Sequence, residues 1–403
     1  MSAKKKVAVV AFSAPPLSSG GVASAHYNLY RALKAAGLDA MLFTFGDPAQ
    51  LAGQEEDVVR SGSPAWWLSF ARFLNRWVFK VLQPGKRAYQ SFDIVAAMPG
   101  AKAMAKRLRQ WAPDLVILSD HAAPGLALHR GEAKLVLVSH HNPARFLEPP
   151  APDNYSRLDA RLALRWEQQV VNKVEAVVCP SNYMQDFFQR TYRFEGPVRR
   201  IPNLLDDSLL GSDADIDLKK RLGLGKSDTL IYLPSTGTQL KGAAYVASLV
   251  KELSARWDGK LAFYLSGHIE AKYQNFFERL AADGIVYLSG QVSYAHNIAL
   301  ARQCDFCISL SLMENYSMAL LEAALLGLPI LAFDTGGNAD IVQDGKNGFL
   351  FNLGDTQAMA RRADDWSDAK ALRAFAKAAL SYSRAALAPS LAREAYVELI
   401  ESL

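Results

Sequence analysis

The sequence predicts an α/β protein built from two parallel-sheet domains. Short apolar runs alternate with helical patterns through both halves, and a polar segment at 207–217 separates them. The length of 403 residues also exceeds what one ordinary core organises. Half of the residues are hydrophobic, so two full cores can be built. No apolar run reaches the roughly 18 residues of a membrane span. Behind Lys4, Lys5 and Lys6, the run 7–12 is too short for a secretory leader and reads as a first strand, so the expected compartment is the cytoplasm.

Three cysteines are an odd number and argue against a disulfide framework. Cys304 and Cys307 have C-x-x-C spacing but no second metal-binding pair, and they flank an apolar strand, which favours packing. Residues 1–203 hold 26 Lys and Arg against 16 Asp and Glu, a balance of +10, while 204–403 hold 19 against 24, or −5. The first half is therefore the one expected to meet an anionic partner.

In chain order, strand 6–12 leads through a loop containing Pro16, Ser18, Ser19, Gly20 and Gly21 into a helix over 23–36. Strand–glycine loop–helix order lets a backbone approach phosphate closely. The G-x-G-x-x-G spacing of a dinucleotide fold is missing, which counts against a dehydrogenase. Strands over 40–45, 115–118, 135–138 and 176–179 follow. Two of them end in histidines, Ser119-Asp120-His121 and Ser139-His140-His141, at the rim where open α/β sheets bind ligands. The second half adds strands over 230–233, 261–265, 285–288, 306–310 and 349–351. Helices are expected from 243, over 297–303, from 338 and through 355–403.

Residues 64–82 form a distinct basic and aromatic helix. Arg72, Arg76 and Lys80 recur four apart as one stripe, and Trp66, Phe70, Phe73, Leu74 and Trp77 fill much of the rest. Such a helix either lies in a membrane interface or packs on its own domain with its basic edge in water.

The most informative stretch is 311–337. A strand delivers Glu314 on a loop, and a helix opens near Ser317 and stops at Gly327, before Pro329. Glu322 then sits about one and a half turns inside that helix. The backbone amides of Tyr316, Ser317 and Met318 fall at the helix N-terminus, where a phosphate is favoured. A carboxylate for sugar hydroxyls, amides for phosphate and a second carboxylate for a ribose diol describe a nucleotide-sugar site.

These residues resemble the retaining glycosyltransferases of family 4. Glu314-x7-Glu322 with Gly327-x-Pro329 matches that family's E-x7-E element. Gly20-Gly21-Val22, Ile201-Pro202-Asn203-x-x-Asp206, Lys241-Gly242, Gly336-Gly337 and Asp344-Gly345-x-Asn347-Gly348-Phe349-Leu350 match in order. The resemblance implies the GT-B architecture, two Rossmann-like domains facing across a cleft with a last helix returning to the first. It divides the chain into 1–205 for the acceptor (64–90 being an insertion for membrane or acceptor), 206–385 for the nucleotide sugar, and 386–403. It implies transfer of a hexosyl group from a UDP- or GDP-sugar to a glycan or lipid-linked acceptor, with retention, without a metal or further cofactor, and with no nucleic-acid partner. Peripheral contact with an anionic membrane at the inner face of the plasma membrane accords with the basic helix.

By the same resemblance Glu314 holds hydroxyls of the donor sugar and Glu322 the ribose diol. Lys241 pairs with the diphosphate. Gly20, Gly21, Gly267, Asn315, Tyr316, Ser317 and Met318 line phosphates and sugar, and the backbone at Val292 meets the base. His121 sits beside the anomeric centre, and His140 or His141 faces the acceptor. Two positions depart from the pattern. Thr236 stands where the family has an Arg five residues before the Lys, and a threonine cannot clamp phosphate bidentately. Arg145 or His268 is the expected substitute. Asp340 stands where Glu is common. A noncatalytic sugar-nucleotide sensor is the competing reading that Thr236 raises.

Overall fold

A computed structural model of the chain describes residues 5–15, 17, 20–48, 51, 53–55, 57–225, 227–257 and 259–403. Lys4, Pro16, Ser18 and Ser19 of the sequence reading, and the side chain of Lys80, lie outside the described residues. The chain forms two compact units, Met1–Leu204 with Ser390–Leu403, and Leu205–Pro389.

Unit 1 contains β1 (Lys6–Ala11), α1 (Gly21–Ala35), β2 (Asp39–Thr44), β3 (Gly53–Glu55), β4 (Val58–Arg60), α2 (Ala65–Leu82) and α3 (Gln90–Trp111). It continues with β5 (Leu115–Ser119), β6 (Lys134–Val138), α4 (Arg157–Val171), β7 (Ala176–Cys179), α5 (Asn182–Thr191) and β8 (Val198–Arg200). Its sheet order is β3-β4-β2-β1-β5-β6-β7-β8. Strand β1 pairs with β2 on one side and β5 on the other, both parallel, so the strand order reverses between β1 and β5. At such a reversal the loops leaving the strands' carboxyl ends splay apart and open a crevice. One sheet face packs α3, with Met104, Ala105 and Leu108 buried against Phe43 and Val116.

Unit 2 contains α6 (Leu218–Arg221), β9 (Thr229–Leu233), α7 (Val246–Ser254), β10 (Leu261–Ser266), α8 (Ala271–Ala282), β11 (Val286–Gly290) and α9 (Tyr294–Ala301). Next come β12 (Phe306–Ser309), α10 (Met318–Leu326), β13 (Ile330–Phe333), β14 (Gly348–Phe351), α11 (Thr356–Asp364) and α12 (Ala369–Ala386). Its all-parallel order is β11-β10-β9-β12-β13-β14, which reverses between β9 and β12. The last helix, α13 (Pro389–Ser402), belongs to unit 1. Its Ala392, Tyr396, Leu399 and Ile400 are buried in the same cluster as Val7, Val9 and Ile117, on the face opposite α3.

Several sequence expectations shift. The first sheet is not purely parallel, because the short β3 runs antiparallel to β4 at its edge. Three-residue strands such as β3, β4 and β8 carry too few alternations to register as a pattern. Helix α3 holds Pro99 in its interior, a residue that ordinarily signals a stop. The helix expected over 297–303 opens three residues earlier, because the Ser293 side chain accepts from His296 N and caps it there. The start expected at Asn338 is a single 3₁₀ turn, Gly336–Asp340. Cys179, Cys304 and Cys307 are all free and buried.

Candidate functional site

The loops at the strand-order reversal of unit 2 carry the predicted donor residues. Loop 234–242 leaves β9 and loop 310–317 leaves β12, and the Leu312 amide donates to Leu240 O at 2.9 Å, tying them together. Thr335 Oγ1 adds a 2.8 Å bond to Leu312 O. Close contact is enforced by glycine. At Gly242, φ is +84° and a Cβ would lie 2.0 Å from Leu310 O; at Gly336, φ is +54° and a Cβ would lie 1.8 Å from Glu314 O. Any side chain at either place would push the two loops apart.

The result is an ion pair. Lys241 Nζ lies 2.5 Å from Glu314 Oε1, with both side chains partly exposed. Just beyond, Ser317 caps α10 by accepting from Leu320 N, and Gly327 ends the helix in the left-handed conformation, φ +83°. Glu322 is buried on α10 at 4% exposure, and Tyr294 OH donates to its Oε1 at 2.7 Å. Burial pushes its carboxyl up to about 7, against the Tyr294 hydrogen bond, which favours the charged form. Tyr294 was missed from sequence because the start of α9 was placed too late. Asn297, one turn on, accepts from Tyr264 OH at 2.8 Å and donates to Tyr232 OH at 3.1 Å, which fixes α9 on the sheet.

Thr236 does not substitute for a guanidinium. It is fully buried, and its Oγ1 donates to Pro234 O at 3.2 Å, within its own loop. Gly237 packs so closely on the next loop that a Cβ would lie 2.5 Å from His268 O, which brings the exposed His268 beside the Lys241 loop. Arg145 belongs to unit 1, where it is buried beneath the Tyr183 ring, 5.5 Å from its centroid. Gly267 (φ +91°) and half-buried Val292 occupy the loops after β10 and β11.

In unit 1 the reversal between β1 and β5 brings Phe12 and His121 together, with ring centroids 5.0 Å apart. His121 Nε2 is 3.4 Å from Asp93 Oδ2, a partner on α3 that sequence reasoning did not reach, since α3 itself was not recognised. A cavity of about 410 Å³ lies alongside, lined among others by Phe12, Asp47, Leu68, Arg72, Phe92 and Asp93. The His141 ring is tilted against that of His121, with centroids 5.2 Å apart, and burial holds it neutral by lowering its pKa well below the usual value. His140 points inward, bonded through Nε2 to Asn203 Oδ1 at 2.8 Å and packed on His26. Asp120 organises this loop by accepting from His141 N at 2.7 Å and Ser139 Oγ at 3.3 Å. Gly20 caps α1 and Gly21 opens it, with no atom within 4 Å of a Cβ at Gly21, so neither crowding nor a tight turn demands the second glycine.

Backbone strain follows the same geography. Among the described residues, five non-glycine positions have positive φ, and four of them, Ala122, Ala123, Asn142 and Ser235, lie just past β5, β6 and β9. Each costs on the order of 1–3 kcal/mol and persists where surrounding structure holds a functional loop in place.

Two family models match the chain, Glycosyltransferase Family 4 over residues 19–209 and Glycosyl transferases group 1 over 215–381. The EpsD protein of Bacillus subtilis is 31% identical over 150 residues, 36% of this chain and 38% of EpsD. The chain spans between 38% and 62% of the length of the curated relatives it matches. Among solved structures, sucrose-phosphate synthase from Thermosynechococcus elongatus superposes with a TM-score of 0.77 at 16% identity, over 99% of both chains. Anabaena HepE in complex with UDP and glucose gives 0.71 at 20% identity, over 99% of this chain and 100% of HepE. At these identities the likeness concerns the fold.

Proposed function

The chain belongs to the family-4 glycosyltransferases, with the GT-B fold, and from that premise we propose that it is a retaining hexosyltransferase. In this reading a hexosyl group moves from a nucleoside diphosphate sugar to an acceptor hydroxyl, in cell-surface polysaccharide or lipid-linked glycan synthesis. The observation that carries it is the Lys241–Glu314 pair at the strand-order reversal, with buried Glu322 on the helix behind. An entering diphosphate competes for Lys241, and the released Glu314 carboxylate then accepts hydrogen bonds from the sugar. Glu322, in its ionised form, accepts from both ribose hydroxyls.

Departure of the diphosphate concentrates negative charge, which Lys241 and the N-terminus of α10 stabilise. The leaving phosphate itself takes the acceptor proton on the front face, so this route needs neither a protein nucleophile nor a metal. His268, exposed beside the Lys241 loop, takes the place of the missing guanidinium as a hydrogen-bond donor to the diphosphate. His121 and the cavity beside it serve the acceptor side. UDP bound in HepE favours a uridine donor.

Incubation of the purified protein with UDP- and GDP-hexoses and a panel of polyol, glycan and lipid-linked acceptors tests the reading. Nucleoside diphosphate release and a product with the donor's anomeric configuration are expected. Nucleotide-dependent thermal stabilisation without turnover on any acceptor would favour the sensor instead.

A further inference from the structure

We infer that α2 is a docking surface for an anionic bilayer, a partner that extends the transferase reading above by placing its acceptor at a lipid surface. Helix α2 is anchored to unit 1 along one side only. Ala71 and Phe79 are buried, Trp67 Nε1 donates to Val95 O at 2.9 Å, and Asn75 Nδ2 donates to Ala88 O at 3.0 Å. The other side is apolar and faces outward, with Trp66, Phe73 and Trp77 exposed by 70%, 62% and 63% and Phe70 and Val81 also exposed. At about 100° per residue these five, with Leu74, fall within one arc of about 100°.

A soluble surface seldom leaves so continuous an aromatic patch in water. Arg76 and Arg72, both exposed, lie about 60° and about 100° beyond one edge of that arc, and α2 contains three basic residues and no acidic one. Outward tryptophans bordered by basic residues fit the headgroup layer, where indole rings sit at the apolar boundary and cations meet lipid phosphates.

Charge decides against a second copy as occupant. A two-fold dimer through this face would bring two helices of like charge together, whereas an anionic leaflet neutralises them. The same helix contributes Leu68 and Arg72 to the cavity beside Asp93. Docking therefore sets the cavity at the lipid surface, with a guanidinium in its wall for an acceptor's charged headgroup.

Co-sedimentation with vesicles tests this, comparing phosphatidylcholine alone with phosphatidylcholine containing about one third phosphatidylglycerol. The wild type should pellet with the anionic vesicles, with a blue shift in tryptophan emission. A Trp66→Ala/Phe73→Ala/Trp77→Ala variant, altered only at exposed positions, should partition at least about tenfold less. An Arg76→Glu/Lys80→Glu variant should lose about tenfold on anionic vesicles. Wild type left in the supernatant with both vesicles would overturn the inference, as would unchanged partitioning of the triple variant. A dimer in gel filtration that the triple variant reduces to a monomer would overturn it in favour of a second copy. UDP-induced thermal stabilisation, measured on the same samples, reports the donor reading separately and should be equal in all three proteins.

Discussion

Lys241 Nζ and Glu314 Oε1 stand 2.5 Å apart on loops that leave two neighbouring strands, β9 and β12, at the point where the strand order of unit 2 reverses. The pair is partly exposed, so its contribution to stability is small, about 1 kcal/mol or less. Its geometry serves better as a preset binding site, each charge holding the other in place until a donor arrives. Lys241→Gln should therefore lower kcat/KM for the sugar nucleotide by about 100-fold or more while moving Tm little. Steady-state kinetics beside a melting curve would check this, and an unchanged kcat/KM would remove Lys241 from the mechanism.

Glu322 carries a pH signature. Its folded pKa, pushed up to about 7, lies above the ordinary carboxyl value of 4.5. Folding thus favours the protonated form. The stability this gives is fully present below about 4.5 and is lost as pH rises through about 7. Glu322→Gln, which can still accept from Tyr294, should be more stable than wild type at pH 8 by on the order of 2 kcal/mol and nearly equal to it at pH 4. Donor binding needs the opposite state, because ribose hydroxyls donate to a carboxylate. Affinity for the nucleotide should rise as pH passes through about 7 in the wild type and lose that dependence in the variant, with KM raised about tenfold. Melting and nucleotide titration across that range read both effects.

Much of unit 2 was legible from sequence because its chemistry is local. The path from Glu314 to Gly327 runs through one loop and one helix, and Ser317 and Gly327 cap that helix where their residue types predict. Periodicity likewise located the strands that carry both reversal points. What escaped notice depends on contacts between distant segments. Asp93 reaches His121 across 28 positions, and Tyr294 reaches Glu322 across the same number. The direction in which α2 faces was also undecidable, since apolar residues occupy most of its circumference, and only packing shows that Ala71 and Phe79 are the buried ones.

Gly242 and Gly336 supply a test of geometry without touching charge. Each has positive φ, and the hydrogen it carries in place of a side chain faces a carbonyl oxygen, Leu310 O for the first and Glu314 O for the second. Gly336→Ala should shift the Glu314 loop and reduce kcat/KM by about tenfold or more, since small misplacement is costly at a reacting centre. Backbone strain adds a cost in stability on the order of 1–3 kcal/mol. Gly21→Ala provides the contrast. It meets no atom within 4 Å, so its fold should be unaffected, and any loss should appear in donor KM alone. Equal effects of the two substitutions on Tm would contradict the packing described for Gly336.

Asp93 and His121 join α3 to the end of β5 through a 3.4 Å contact, and Asp93 also lines the cavity in unit 1. Asp93 acts as a positioning residue. Its carboxylate accepts from the imidazole and so selects the ring's orientation and tautomer, leaving Nδ1 as the remaining nitrogen. Asp93→Asn keeps the shape but can present its amide nitrogen to the ring, which disturbs that choice. The expected result is a fall in kcat of about tenfold with donor KM unchanged, because Asp93 touches His121 and not Lys241, Glu314 or Glu322, the donor residues of unit 2. Asp93→Glu should restore part of the rate, since it returns the charge at a slightly different reach. If Asp93→Asn instead raised donor KM and left kcat alone, the acceptor-side role of this pair would be wrong. If Asn and Glu were equally impaired with equal losses in Tm, the contact would be structural, serving to hold α3 on the sheet.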